Sequence, residues 1–241
     1  MFWIDQYYIL LVLPTVILAL YAQAKVNSTF NRYRQERSYR GMTGQEVALQ
    51  MLRNAGIMDV PVEMVAGHLT DHYDPKNRVL RLSESVFNSS SIAAIGVAAH
   101  EAGHAIQHQE GYGPLHLRNA IIPLTRIGSS LSMPLIFIGI AMGGLSNAVS
   151  ATNMGWYIIV AGIALFGVAV LFQVITLPVE FSASRRALVT LGNTQILTED
   201  EVKKARKVLS AAALTYVAAM AQAVANLLRL LLIVGGRRRD D

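Results

Sequence analysis

Hydrophobic and polar positions fall into long blocks along this chain. Four stretches are strongly apolar: residues 7–22, 127–142, 156–177 and 210–234. A helix needs roughly 20 apolar residues to cross the hydrocarbon core of a bilayer. From Ile127 to Val179 there is no Asp, Glu, Lys or Arg, which leaves room for two spans joined by a loop at about 143–155. The pattern predicts a mainly α membrane protein with about three transmembrane helices.

The fourth apolar stretch, residues 210–234, is long enough to span but carries polar side chains. Gln222, Asn226 and Arg229 recur at helical spacing and therefore share one face. A span would also place the basic residues 237–239 outside the cell, against the usual distribution of cations. We therefore expect a C-terminal apolar helix that packs against the protein or lies at the interface, with a fourth span as the alternative.

Between the first two apolar stretches, short segments with hydrophobic patterns typical of helices and strands indicate a small folded α+β unit at residues 41–110. Thr43 and the serines at 89–91 are suitable helix N-caps, and Gly111 is a suitable stop. The predicted elements are a helix at 44–54, a strand at 61–65, a hairpin of 69–73 and 78–82 around the turn 74–77, and a helix at 92–109.

Beyond Pro178 the chain becomes polar again. We predict a helix at 180–191 that ends at Gly192, and a capping box of Thr198 and Glu201 that starts the last helix. The predicted organisation has four parts: an N-terminal anchor at 1–24, an α+β unit at 25–118, a transmembrane hairpin at 119–178 and a helical region at 179–241.

Composition narrows the classes of protein and of metal site. Charged residues make up 15% of the chain, against about 25% in soluble domains. The net charge is +5, but the cations flank the apolar stretches rather than an aromatic-lined groove, so we expect the lipid bilayer and no nucleic acid as a partner. Cysteine is absent, so any metal site consists of histidines and carboxylates.

The positions of the cations predict the orientation in the cell membrane. Five basic residues follow the first apolar stretch: Lys25, Arg32, Arg34, Arg37 and Arg40. Arg118 and Arg126 precede the predicted hairpin, and Arg185 and Arg186 follow it. Cations prefer cytoplasmic segments, so residues 25–118 are expected in the cytoplasm. The same order favours a retained anchor over a cleaved signal peptide, the alternative suggested by Ala22-Gln23-Ala24.

The helix predicted at 92–109 carries His-Glu-Ala-Gly-His at 100–104. His100 and His104 lie one helical turn apart on the same face, where two neutral imidazoles can bind one zinc ion. Glu101 is placed to activate a zinc-bound water rather than to bind the metal. The alternative is a core helix with two buried histidines, which leaves the charged Glu101 buried at a cost in free energy.

A zinc hydrolase usually has a third protein ligand. His108 lies about 6 Å further along the helix axis than His104, too far to share one ion, so it is expected to support a ligand, stabilise the fold or contact substrate. Glu180 is a better candidate, although from spacing alone a solvated helix cap explains it equally well. His68, His72 and His116 offer no spacing argument.

Several segments together resemble the YugP-like bacterial membrane neutral zinc metallopeptidases. They are Leu69-Thr-Asp-His-Tyr-Asp-Pro75, Leu80-Arg-Leu-Ser83, Ala98-Ala-His-Glu-Ala-Gly-His-Ala-Ile-Gln107 and Leu177-Pro-Val-Glu-Phe-Ser-Ala-Ser-Arg-Arg-Ala187. The resemblance covers nearly the whole chain. The chain is also similar, more distantly, to HtpX-type and CAAX-processing membrane proteases. This resemblance implies a small zincin-like catalytic unit of the HExxH-plus-glutamate (gluzincin) type, with Glu180 as the third zinc ligand.

One position departs from the distant relatives. They have an aspartate four residues after the glutamate ligand, where it orients a zinc-bound histidine, and this chain has Ser184. Either Ser184 performs that task or another group, such as Asp71 or Asp74, supplies the supporting contact.

The expected function is therefore that of a membrane zinc metalloendopeptidase at the cytoplasmic membrane surface, acting on peptide or membrane-protein substrates. The strand at 78–82 is a candidate for edge pairing with substrate, and Tyr216 or His108 for stabilising the oxyanion. Two other classes remain open: a non-catalytic membrane scaffold with a structural zinc, and an oxidoreductase with a histidine-rich di-iron centre. The sequence does not determine adaptors or oligomeric state.

Overall fold

The computed structural model describes residues 5–145 and 153–236. The basic residues 237–239 and positions 146–152 of the predicted loop lie outside the described residues. The elements are a π-helical turn Tyr8–Val12 and then α1 Leu13–Tyr33, α2 Gly44–Asn54, β1 Val62–Val65, β2 His72–Asp74, β3 Val79–Ser83, α3 Glu84–Phe87, α4 Ile92–Gln109, α5 Gly113–Ala141, α6 Met154–Asn193 and α7 Glu199–Gly236.

Four helical segments of the described chain are long and apolar enough to cross a membrane. They are Tyr8–Tyr33, Gly113–Ala141, Met154–Asn193 and Glu199–Gly236. The prediction of a mainly helical chain with apolar helices of membrane-spanning length is confirmed. The fourth helix, α7, meets the same criteria of length and composition as the three that were predicted to span.

The chain divides into two compact units. One contains residues 1–21, 117–176 and 216–241, and the other contains residues 22–116 and 177–215. The domain limits proposed from the sequence, at residues 24, 118 and 178, stay predictions.

In the first unit, α5 and α6 approach closely at glycines. A Cβ atom on Gly128 would lie 2.9 Å from the Leu165 carbonyl oxygen, and one on Gly162 would lie 2.8 Å from the Ser132 carbonyl oxygen. Small residues are typical of helix contacts in membranes, where close packing replaces the hydrophobic drive of water. Large apolar side chains on these helices are exposed, among them Leu131, Phe137, Val160 and Leu171, as expected for lipid-facing surfaces.

The second unit contains a three-stranded sheet of order β1-β3-β2, in which β1 is parallel to β3 and β2 is antiparallel to it. The predicted hairpin is present, but β2 begins only at His72. Leu69 adopts a positive φ of 56°, and the Thr70 hydroxyl donates to the Ala66 carbonyl, so the chain there turns instead of extending.

The position of β3 in this sheet corrects one prediction. We expected the strand at 78–82 to pair with an extended substrate along its edge. Because β3 is the middle strand and has a partner on both sides, it has no free edge for a substrate. That prediction is wrong for this strand.

Helix α4 has the bounds predicted for it, Ile92–Gln109. The Ser91 hydroxyl accepts a hydrogen bond from the Ala94 N–H at 3.2 Å, which caps the N-terminus. The chain leaves the helix through Gly111, whose φ of 67° suits glycine. Ala94, Ala98 and Ala102 are completely buried in the core, so α4 is held firmly along the face that they share.

The helix predicted at 180–191 is the last part of a longer helix. Helix α6 runs without interruption from Met154 to Asn193 and contains Pro178. Residues 180–191 are therefore helical as predicted, but they continue the third apolar stretch, and the helix ends one residue after Gly192. Proline removes one backbone hydrogen bond, but apolar membrane helices tolerate it because neighbouring groups satisfy the freed carbonyl. In α5, Pro123 and Pro134 also lie inside the helix.

The predicted Thr43 N-cap and the predicted capping box of Thr198 and Glu201 are both confirmed. Thr43 and Glu46 exchange side-chain and backbone hydrogen bonds at the start of α2. At the start of α7, the Thr198 N–H donates to Glu201 Oε2 at 2.8 Å. From there α7 continues to Gly236, so the apolar stretch at 210–234 is the continuation of this helix.

Candidate metal centre

His100 and His104 lie one turn apart on the same face of α4. Their ring centroids are 4.7 Å apart and the rings are nearly perpendicular. Only 14% of the His100 side chain and 8% of the His104 side chain are exposed. The two imidazoles are therefore largely shielded from solvent and face a common point.

Glu180 on α6 lies at that point. Its Oε2 is 3.2 Å from His100 Nε2 and 3.6 Å from His104 Nε2, and the carboxylate is buried. From spacing alone Glu180 was equally explained as a solvated cap, and its position excludes that alternative. All three residues belong to the unit formed by residues 22–116 and 177–215.

A glycine contact brings the two helices together here. A Cβ atom on Gly103 would lie 2.8 Å from the Ala183 carbonyl oxygen, closer than side-chain carbons approach backbone oxygens. The backbones of α4 and α6 therefore meet at Gly103 and Ala183, one residue before His104 and three residues after Glu180. This approach explains why residues 80 positions apart share one site.

The three donors fit a zinc ion. Two ligand atoms that are each about 2.0–2.1 Å from a tetrahedral zinc are about 3.3 Å apart, and the observed separations of 3.2 and 3.6 Å lie on either side of this value. All three donor atoms lie within 4.8 Å of one another. Among the described residues, His100, His104 and Glu180 form the one group of three His, Asp or Glu side chains whose donor atoms are close enough to share a metal ion.

The other ring nitrogen of each histidine has a protein partner. Ser184 Oγ lies 3.1 Å from His100 Nδ1, and Gln107 Oε1 lies 3.0 Å from His104 Nδ1. Both Nε2 atoms consequently face Glu180. Zinc-binding histidines normally have their second nitrogen engaged in this way, which fixes the ring.

Of the groups weighed for this supporting contact, Ser184 is the one placed beside a histidine of the site. Asp71 instead accepts hydrogen bonds from the backbone N–H and the hydroxyl of Ser83. Asp74 accepts from Asn77 and Arg81. Within the described residues, neither aspartate makes a hydrogen bond to His100 or His104.

Glu101 follows His100 on α4 and is held by the sheet. Its Oε2 accepts a hydrogen bond from the Tyr73 backbone N–H in β2 at 3.1 Å. Burial raises the pKa of the Glu101 carboxyl to about 7, the negative charges of Glu180 and Asp71 contribute to the rise, and His100 and the Tyr73 N–H oppose it. A carboxyl that titrates near neutrality can both accept and return a proton, as a general acid–base group must.

His108 does not join the donor group. Its Nδ1 lies 2.8 Å from the Tyr73 hydroxyl, and its ring centroid is 5.7 Å from that of His116. Burial lowers the pKa of His108, and the nearby charges of Arg78 and His116 lower it further. His108 is therefore one helical turn beyond the donors and has partners of its own.

His68 and His72 have partners of their own. The His68 ring packs edge-on against Phe30, and His72 Nδ1 lies 2.8 Å from the Thr70 carbonyl oxygen. Tyr216 lies in α7 and belongs to the other compact unit. Its assignment as an oxyanion donor stays a prediction.

Two contacts of this site were not anticipated from the sequence. The Tyr73 N–H that holds Glu101 is a backbone group, so no side-chain pattern reveals it. Gln107 offered a signal, because it is a polar residue three positions after His104 and therefore on the same face of an apolar helix.

Comparison with known proteins agrees with this geometry. The model of a family described as "Putative neutral zinc metallopeptidase" matches residues 8–235. The chain belongs to this family. It is also 46% identical over 234 residues to the "Putative membrane protease YugP" of Bacillus subtilis (strain 168), which covers 97% of this chain and 99% of that protein. No solved structure matches the chain significantly.

Membership confirms the resemblance that was recognised in the sequence. The family is one of zinc metallopeptidases, the relative is named as a membrane protease, and this chain contains four helices of spanning length and composition. Zinc is accordingly the metal that the family implies, and His100, His104 and Glu180 are the residues arranged to hold it.

Proposed function

We propose that this chain is a membrane-embedded zinc endopeptidase of the HExxH-plus-glutamate type that hydrolyses peptide bonds at the cytoplasmic surface of the cell membrane. The observation that carries the proposal is the convergence of His100, His104 and Glu180, with distances of 3.2 and 3.6 Å from the carboxylate to the two Nε2 atoms, beside an acid–base carboxyl at Glu101.

His100 and His104 would hold the zinc through Nε2, and Glu180 would hold it through a carboxylate oxygen. When bound, the ion supplies Lewis-acid polarisation of the scissile carbonyl and increases the acidity of water. Three protein ligands leave one position of a tetrahedral ion for water or substrate, whereas a structural zinc has four protein ligands. The donor group of three in the described residues therefore favours catalysis over the scaffold alternative.

Glu101 acts as the general base and then as the general acid. It accepts a proton from the attacking water and delivers it to the nitrogen of the leaving amine, so that a neutral amine departs. The Tyr73 N–H holds Oε2 of Glu101, which leaves Oε1 to meet the water. Ser184 beside His100 Nδ1 orients the first histidine.

The distribution of cations supports a cytoplasmic site. The site helix α4 lies between the first span and α5, and the basic residues 25–40 and 118–126 flank this part of the chain. We propose that the substrates are peptide segments at the bilayer surface, including segments of membrane proteins. His108 is a candidate contact for such a segment.

The Glu101→Gln variant tests the proposal most directly. We expect cleavage of fluorescein-labelled casein by the purified full-length protein in detergent to fall by about 10²–10⁴-fold, since the base is lost. Zinc content, measured by elemental analysis, should equal that of the wild type. Glu84→Gln, at an exposed carboxylate in α3, is the matched control and should cleave at the wild-type rate.

Three results would contradict the proposal. Equal cleavage by wild type and Glu101→Gln would exclude Glu101 as the base. Iron in place of zinc would indicate the di-iron alternative. Zinc at full occupancy in a wild-type protein without hydrolytic activity would favour the structural scaffold.

A further inference from the structure

Gln107 is a completely buried amide in the middle of an apolar helix. Its exposed fraction is 0%, and burying an amide without hydrogen bonds is unfavourable. The side chain meets this cost with two hydrogen bonds. Its Nε2 donates to the Val179 carbonyl on α6 at 2.9 Å, and its Oε1 lies 3.0 Å from His104 Nδ1.

These two bonds determine where the proton of His104 resides. A backbone carbonyl can only accept, so the amide NH₂ of Gln107 must face Val179, and the amide oxygen must face His104. An amide oxygen can also only accept, so the Nδ1 of His104 must carry the proton. In the neutral ring, the lone pair then lies on Nε2, which is the atom that faces Glu180.

His100 has no equivalent constraint. Its partner, the Ser184 hydroxyl, can donate or accept and so permits either tautomer. Both partners connect the two helices of the site, since Ser184 on α6 contacts His100 on α4, but Gln107 also donates to the backbone carbonyl of the residue directly before Glu180.

We infer that Gln107 is a positioning residue for the metal centre: it holds His104 in the Nδ1–H tautomer, with Nε2 free for the metal, and joins this ring to the α6 backbone beside Glu180. The inference rests on the proposed function for its zinc ion. Partners of this kind typically change metal affinity by about 10–100-fold.

Two variants distinguish a role of Gln107 in orienting His104 from a role only in joining α4 to α6. Gln107→Met has a similar shape but loses both hydrogen bonds. Gln107→Glu loses the donor to Val179 and keeps an oxygen that accepts from His104 Nδ1–H. If Gln107 only joined α4 to α6, both variants would behave alike, whereas a positioning role requires them to differ.

The measurement is the zinc dissociation constant of the full-length protein in detergent, from competition with a chromophoric chelator. We expect zinc binding to weaken about 10–100-fold in Gln107→Met and by less than about 10-fold in Gln107→Glu. The visible absorption bands of the cobalt-substituted protein should shift in Gln107→Met. Gln109→Met, the same change at an exposed glutamine of the same helix, should leave both readouts unchanged.

The inference is overturned if Gln107→Met binds zinc as tightly as the wild type, or if Gln107→Glu loses as much affinity as Gln107→Met. Should Gln107→Met not fold, a loss of more than about 10-fold in Gln107→Glu overturns it as well. A wild-type protein that binds no zinc contradicts the proposed function itself, and this result is distinct because it does not depend on residue 107.

Discussion

Arg229 binds Asp5 across 224 positions of the chain. Its Nη2 donates to Asp5 Oδ2 at 2.7 Å, and its Nε donates to the same oxygen at 3.0 Å. The guanidinium also lies 5.4 Å from the Tyr8 ring centroid. Both residues belong to one compact unit. Asp5, which precedes the first candidate span, therefore lies beside the C-terminal part of α7.

The contact supports α7 as a fourth span. Residues 208–228 carry no charged side chain, and a helix of this length covers about 32 Å, close to the roughly 30 Å of a hydrocarbon core. Arg229 follows directly and meets Asp5, so we expect the C-terminus on the same side of the membrane as the N-terminus. The polar face of α7, which favoured a packed helix in the sequence, is compatible with a span whose arginine is paired.

Labelling of single cysteines checks this topology, because the natural chain contains no cysteine. We expect a membrane-impermeant maleimide to label Gly236→Cys and Met154→Cys in intact cells. Lys76→Cys, in the turn between β2 and β3, should react only after the membrane is permeabilised. If Gly236→Cys also needs permeabilisation, α7 does not cross the membrane.

A double-mutant cycle measures the pair itself. Asp5→Asn and Arg229→Met should each lower the unfolding temperature in detergent, since each leaves a partly buried charge without its partner. The double variant should lose less free energy of unfolding than the two single variants together, and the difference gives a coupling energy of about 0.5–3 kcal/mol. Arg206→Met, at an exposed position of the same helix, serves as the control. Additive losses would show that the pair contributes nothing to stability.

The close approach of α4 and α6 at Gly103 leads to a third prediction. In Gly103→Ala the new Cβ meets the Ala183 carbonyl, a backbone atom that cannot rotate away, so the helices must separate. We expect a loss of about 1–3 kcal/mol in the free energy of unfolding together with weaker zinc binding, because Glu180 moves with α6.

Gly96 provides a matched control two turns earlier on the same face of α4. A Cβ atom there would lie 3.6 Å from the Ala205 Cβ, an ordinary contact. Gly96→Ala should therefore keep zinc affinity and gain up to about 1 kcal/mol of stability, because alanine favours a helix over glycine. Equal zinc affinity in Gly103→Ala and the wild type would contradict the role assigned to the close approach.

Local signals predicted what is local in this structure. The bounds of α4 were predicted from the N-cap Ser91, the stop at Gly111 and the apolar residues between them. That His100 and His104 share one face was predicted from their four-residue spacing along this helix. The Thr43 N-cap and the capping box of Thr198 and Glu201 involve residues three positions apart. In each of these cases the deciding contact lies within one turn of the chain.

The features that were not predicted from the sequence depend on tertiary contacts. Spacing gave no preference for Glu180 over a solvated cap, because its place depends on the approach of two helices at Gly103 and Ala183, and only the family resemblance favoured it. The middle position of β3 depends on which strands pair. The third apolar stretch and the helix predicted at 180–191 form one helix through Pro178, a continuity that the local pattern did not indicate.

Asp74 at the turn between β2 and β3 leads to a prediction on pH. Hydrogen bonds from the Asn77 side chain and backbone, and from Arg81 and Lys76, lower the pKa of Asp74 to about 2 against partial burial. A carboxyl whose pKa is lower in the folded than in the unfolded state stabilises the fold above its unfolded pKa of about 4. This stabilisation is lost as the pH falls from about 4 to 2.

Asp74→Asn isolates this contribution. At pH 7 the variant should unfold with a free energy about 1–2 kcal/mol below that of the wild type, an amount reduced from the full shift because the side chain is partly exposed to solvent. The difference should shrink below pH 4 and vanish near pH 2, where the wild-type carboxyl is also protonated. Denaturant titrations of both full-length proteins in detergent from pH 7 to 2 measure it. Because the two proteins differ only at residue 74, other acid-sensitive groups cancel in the difference. A gap that stays constant to pH 2 would show that Asp74 carries no such stabilisation.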